Sequence, residues 1–93
     1  MFVGIVRIEL HIPQATSLKD KRSVVKGLKE RIRARVHAAV AEVDHHDLWQ
    51  RAALGVAVVS AERHHVDEQL QSVRSLVHAT HGAELLDWEE QHA

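Results

Sequence analysis

The sequence predicts an α+β fold with the element order β-α-β-β-α-β. Three observations support this: the first dozen residues have the two-residue period of a strand, two long segments repeat apolar residues with the period of a helix, and three further short segments are strand-like. The 93 residues have the size of one domain, and no linker, repeat or low-complexity segment divides them. We therefore expect a single domain over residues 1–93.

The first strand has a continuous apolar set at its even positions and a mixed set at its odd positions. The even positions are Phe2, Gly4, Val6, Ile8, Leu10 and Ile12, and the odd positions are Val3, Ile5, Arg7, Glu9 and His11. Because side chains alternate across a strand, we expect the even set to face the helices and the odd set to point outward. Pro13 ends the strand.

The first helix is predicted to begin at Ser17, whose hydroxyl can cap a backbone N–H, with Asp20 as an acid in its first turn. Its apolar stripe consists of Leu18, Val25, Leu28, Ile32 and Val36. We expect the basic residues of this helix on the opposite side from the stripe.

The second half of the chain supplies a hairpin, a helix and a last strand. Residues 37–44 and 52–60 are strand-like, so the stretch EVDHHDLWQRA that joins them is predicted to be a hairpin loop. A second helix begins at or near Ser60, places Val66, Leu70, Val73 and Val77 on one face, and stops at Gly82. GAELLDWEEQ is the last short strand.

This element order is that of the ferredoxin-like fold, in which two helices cover one face of a four-stranded antiparallel sheet. Right-handed crossovers place the first and third strands in the centre. The open face then carries an apolar patch, which a monomer seldom leaves in water. We expect a homodimer or another protein partner on it, with these interface residues: Val3, Ile5, Ala57 and Val59.

Composition excludes several classes of protein. The chain has no cysteine, so it has no disulfide or thiolate site, and a reducing cytoplasm is the simplest setting. The amino-terminal apolar run lacks a basic leader and is too short and too charged to span a membrane. We therefore expect a cytoplasmic protein with no membrane partner.

Charge is distributed unevenly although the net charge is only -1. Eight of the twelve basic residues lie between Lys19 and Arg35, and the last ten residues hold four acids and no lysine or arginine. Cations on a helix predict phosphate contacts with little sequence preference, although charged helix faces are often only solvated. The predicted nucleic-acid contacts are Lys19, Lys21, Arg22, Lys26, Lys29 and Arg33, with Trp49 and Arg51 of the hairpin as a second contact.

The hairpin also offers weak candidates for metal binding or catalysis at residues 44–47, which are Asp44, His45, His46 and Asp47. Consecutive residues at a strand end project in different directions, and aspartates are common in turns for their own hydrogen bonding. The loop has no serine, threonine or cysteine nucleophile. We expect no catalytic residue, metal or cofactor, and a small metal-dependent enzyme is only a minor alternative. Trp49 either stacks on a base or folds back over the sheet edge.

Two blocks of the sequence closely resemble the hallmarks of a bacterial family. They are VAEVDHHDLWQRAALGVAVVS, from Val40 to Ser60, and IPQATSLKDKRSVVKGLKERIR, from Ile12 to Arg33. The family is the YlxP-like family, known as domain of unknown function 503. The resemblance implies a ferredoxin-like fold, no established catalytic residues, and genes found beside those of translation factors and a ribosome-binding factor. The histidines at 46, 64 and 65 depart from its typical pattern, so they receive less functional weight.

We therefore expect a non-enzymatic accessory protein of ribosome maturation or translation. Its partner is expected to be ribosomal RNA or a ribosomal subunit, bound through the first helix. The alternative is a protein-interaction module that dimerises through the open face of its sheet.

Overall fold

The computed structural model describes every residue from Met1 to Ala93. Its elements are β1 (Phe2–His11), α1 (Leu18–Arg35), β2 (Ala38–Asp44), β3 (Arg51–Ser60), α2 (Arg63–Ala79) and β4 (Glu84–His92). The strands form one antiparallel sheet in the order β2-β3-β1-β4, and the helices pack on one face. The predicted α+β, ferredoxin-like fold with central β1 and β3 is confirmed. Neither helix is long and apolar enough to cross a membrane.

The core lies between the sheet and the two helices, and the even positions of β1 supply its centre. Val6, Ile8 and Leu10 are almost completely buried, as are Leu28 of α1 and Leu70 of α2. Burying an aliphatic side chain of this size stabilises the fold by about 1.5–3 kcal/mol. The period of β1 thus identified the buried face correctly.

Hydrogen bonds at the start of α1 confirm the predicted beginning of this helix. The Asp20 backbone N–H donates to Ser17 Oγ at 3.0 Å, and the Asp20 carboxylate accepts from both the backbone N–H and the hydroxyl of Thr16. These contacts satisfy backbone donors that a helix start otherwise leaves without a partner. They also hold the pKa of Asp20 below its ordinary range. These hydrogen bonds therefore determine where α1 begins.

Helix α1 runs beside the edge strand β2 in the opposite direction. Arg33, near the end of the helix, donates to the Val40 carbonyl at 2.8 Å, whereas Lys21, in the first turn, reaches Glu42 further along β2. Arg33, one of the predicted nucleic-acid contacts, consequently lies on the flank of α1 next to β2, and not directly opposite the core as expected. The acidic strand β4 forms the other edge of the sheet.

Candidate nucleic-acid interface

Lys21 is fully buried, which corrects its predicted role as a phosphate contact. Its Nζ donates to Glu42 Oε2 at 2.8 Å and to the carbonyls of His45 and His46 at 2.9 and 3.2 Å. An ammonium has three N–H donors, and all three are used here. Lys21 therefore joins the first turn of α1 to the β2–β3 hairpin and cannot reach a solvent-exposed anion.

The hairpin backbone is shaped to present those two carbonyls to Lys21. His45 has a left-handed backbone with φ of 62°, a conformation that non-glycine residues seldom adopt. Its N–H donates to Asp44 Oδ1 at 2.8 Å, and its carbonyl also accepts from the Leu48 N–H at 3.1 Å. The tight turn and the buried ammonium thus support each other.

Glu9 holds the same hairpin from the open face of the sheet. Its carboxylate accepts hydrogen bonds from Arg7 at 2.7 Å and Arg51 at 3.0 Å, and its Oε2 lies 3.1 Å from His45 Nε2. Partial burial acts to raise the pKa of Glu9, but the hydrogen bonds from Arg51, Arg7 and His45 outweigh it and hold the pKa below its ordinary value of 4.5.

Arg51 takes part in this open-face cluster and does not extend the basic stripe of α1. It lies opposite His11 in the β1–β3 register and pairs with Glu9 at 3.0 Å. The Arg51 side chain is 41% exposed, and its predicted contact with nucleic acid stays a prediction.

Residues 44–47 do not converge on one point. Asp44 pairs with Arg7 at 3.1 Å, His45 faces Glu9, and His46 Nε2 lies 3.2 Å from the Glu42 carbonyl. Hydrogen bonds from the His45 backbone N–H and, with a smaller effect, from Arg7 hold the pKa of Asp44 below its ordinary range. The contacts of Asp44, His45 and His46 tie the turn to β1 and β2.

Trp49 projects from the hairpin and does not fold back over the sheet. Trp49 is 53% exposed and lies beside the exposed Leu48. Its indole N–H donates to no protein acceptor. The next residue, Gln50, anchors the hairpin by donating from Nε2 to the carbonyls of Pro13 and Ala15. A fixed backbone therefore presents an exposed indole.

Five of the seven other cations of α1 lie along one side of the helix, and we call them the basic stripe: Lys19, Arg22, Lys26, Lys29 and Arg33. Lys29 is half-buried and the other four are exposed. None of them has a carboxylate within salt-bridge distance. From Arg22 to Arg33 the stripe is about 16 Å long at the helical rise of roughly 1.5 Å per residue. It starts at the hairpin, because Lys21 joins that loop to the first turn of α1.

The chain is similar to proteins whose function is not described. The family model "Protein of unknown function (DUF503)" matches residues 3–90. The uncharacterized protein YlxP of Bacillus subtilis (strain 168) is 33% identical over 75 residues, which cover 81% of this chain and 82% of that protein.

Replacing Lys21 with Met should destabilise the fold by about 3 kcal/mol, because the Glu42 carboxylate and two carbonyls lose their buried partner. Lys26→Met is the matched control, since Lys26 is exposed on the same helix and should change stability by no more than about 0.5 kcal/mol. Urea unfolding followed by circular dichroism measures both. Equal stabilities of the two variants would contradict the proposed role of Lys21.

Proposed function

The chain belongs to the DUF503 family, and from this premise we propose that it is a non-enzymatic, RNA-binding accessory protein of ribosome maturation or translation. The observation that carries the proposal is the basic stripe, whose five cations have no carboxylate partner. The stripe binds phosphates of structured RNA, and Trp49 provides the second contact. The resemblance to a family whose genes accompany those of translation factors supports a ribosomal partner.

The absence of paired acids along the stripe has an energetic consequence. Neighbouring like charges at helical spacing destabilise a helix by roughly 0.2–0.5 kcal/mol per pair. Arg22, Lys26, Lys29 and Arg33 follow each other at such spacings. A polyanion removes this repulsion and gains entropy when its condensed counterions are released. Contacts of this kind position RNA without reading its sequence.

The open face of the sheet does not suit base recognition. RNA-binding domains of this topology stack bases on aromatic residues of the central strands. At the corresponding outward positions β1 and β3 place Val3, Ile5, Gly55 and Ala57. Stacking is therefore assigned to Trp49, where one aromatic–base contact contributes about 1–3 kcal/mol.

The two edges of the sheet orient the molecule on a polyanion. The basic stripe lies beside β2, whereas Glu84, Asp87, Glu89 and Glu90 lie on β4 at the other edge. An RNA surface attracts the first edge and repels the second, so charge alone favours one orientation.

Charge reversal of Arg22 and Lys26 to Glu should weaken binding to ribosomal RNA roughly tenfold per residue near 0.1 M salt and flatten the salt dependence by about one phosphate contact per residue. These two side chains are chosen because they make no hydrogen bond within the protein, unlike Arg33. Trp49→Ala should lower affinity with little change in the salt slope, since stacking displaces few ions.

The matched control for each single reversal is Arg63→Glu, which changes the net charge equally at an exposed site on α2. Fluorescence anisotropy titrations at several salt concentrations, with folding checked by circular dichroism, give both affinity and slope. If Lys26→Glu binds no worse than Arg63→Glu at every salt concentration, the stripe is a solvated face and the RNA proposal fails.

A second candidate function, a homodimer formed through the open face, is favoured by the exposed apolar residues found there. Val59 is 57% exposed and Ile5 is 41% exposed. In the β1–β3 register Val59 lies opposite Val3 and Ile5 lies opposite Ala57, so the four predicted interface residues are neighbours. Val43 of β2 extends the patch across Gly55. A continuous apolar surface of this kind is typical of a protein interface.

Val59→Lys should abolish this association, because the dimer would bury an unpaired ammonium. Leu86→Lys is the control, since Leu86 is similarly exposed but lies on β4, away from the patch. Sedimentation equilibrium over a range of concentrations measures the effect. A wild-type protein that stays monomeric at the highest concentration removes the dimer from consideration and leaves the RNA proposal intact.

A further inference from the structure

Three metal-binding side chains meet at the start of α2, outside the surfaces described above. Glu62 Oε2 lies 3.2 Å from His64 Nε2 and 3.6 Å from His65 Nδ1, and the ligand atoms of all three residues lie within 4.8 Å of one another. The two imidazole centroids are 4.4 Å apart. We call these residues the Glu62 cluster.

Glu62 is the residue before the first turn of α2, yet its carboxylate does not cap the helix. Its own N–H donates to Ser60 Oγ at 3.1 Å, which fixes the backbone, and its side chain turns toward the two imidazoles. The usual use of a polar side chain at this position is a hydrogen bond to a free backbone N–H. The carboxylate is instead directed to the histidines.

We propose that the Glu62 cluster binds one divalent transition-metal ion of the class of Zn²⁺ or Ni²⁺, with water completing the coordination. Ligands about 2.0–2.1 Å from a tetrahedral ion are separated by roughly 3.4 Å. The separations of 3.2 and 3.6 Å between Glu62 and the two histidines lie on either side of that value, and the ligand atoms of the two histidines lie within 4.8 Å of each other. Two imidazoles and one carboxylate are also a donor set that zinc accepts.

The arrangement determines the properties of the site. All three ligands lie within four consecutive residues, so no distant segment must be ordered when the ion binds. The ligands are more than half exposed, and the ion therefore exchanges with solvent and keeps open positions for water. Imidazole ligands select transition metals over Mg²⁺, which requires oxygen ligands in octahedral geometry.

Calorimetric titration of the intact protein with ZnCl₂ and with NiCl₂ tests the proposal, and one equivalent should bind at neutral pH. His64→Ala/His65→Ala should lower the affinity for zinc by more than about tenfold, because removing even a residue that only hydrogen-bonds a metal ligand costs about that much. Glu62→Gln should also weaken binding, and MgCl₂ should give no binding heat.

The matched control is His78→Ala/His81→Ala, which removes one exposed histidine in the last turn of α2 and one just beyond the helix. It should bind zinc as the wild type does, and circular dichroism should show all variants folded because every altered side chain is exposed. NMR signals of the His64 and His65 rings should shift on zinc addition. No binding by wild type, or equal affinities for the two double variants, would overturn the proposal.

Discussion

The buried ammonium of Lys21 is the interaction on which the proposed RNA-binding surface depends. A charge inside a protein is unfavourable unless it is paired and hydrogen-bonded, and Lys21 has one carboxylate and two carbonyls as partners. These partners come from β2 and its hairpin, so the interaction fixes the hairpin against the first turn of α1. Glu9 holds the hairpin from the other face of the sheet. The exposed position of Trp49 follows from both contacts.

Lys21 and the basic stripe, on the same helix α1, have different surroundings. Lys21 points into the protein and stabilises it, whereas the basic stripe points outward beside β2 and has no carboxylate partner. The rigid hairpin brings an aromatic side chain to one end of that stripe. In the RNA-binding account, structural and binding functions are thus carried by neighbouring residues on consecutive turns of one helix.

The sequence predicted the architecture well because alternation in β1 and the apolar stripe of α1 are local patterns. It also contained a sign of the buried lysine: Lys21, Val25, Leu28 and Ile32 are spaced by four, three and four, which places Lys21 on the core face. Its positive charge nevertheless predicted an exposed phosphate contact. The pairing of Glu9 with Arg51 depends on the register between β1 and β3, and the Glu62 cluster depends on side-chain conformations, so neither follows from sequence periodicity.

The rate at which each lysine is acetylated tests most directly whether Lys21 is buried while the basic stripe binds RNA, because all four lysines of the chain lie on α1. The native protein is acetylated briefly with and without ribosomal RNA, and each site is quantified by mass spectrometry. The account predicts that Lys21 stays unmodified until the protein unfolds, while Lys19, Lys26 and Lys29 react in free protein and are protected by RNA. Modification of Lys21 at the rate of Lys26, or no protection of Lys26 and Lys29 by RNA, would contradict it.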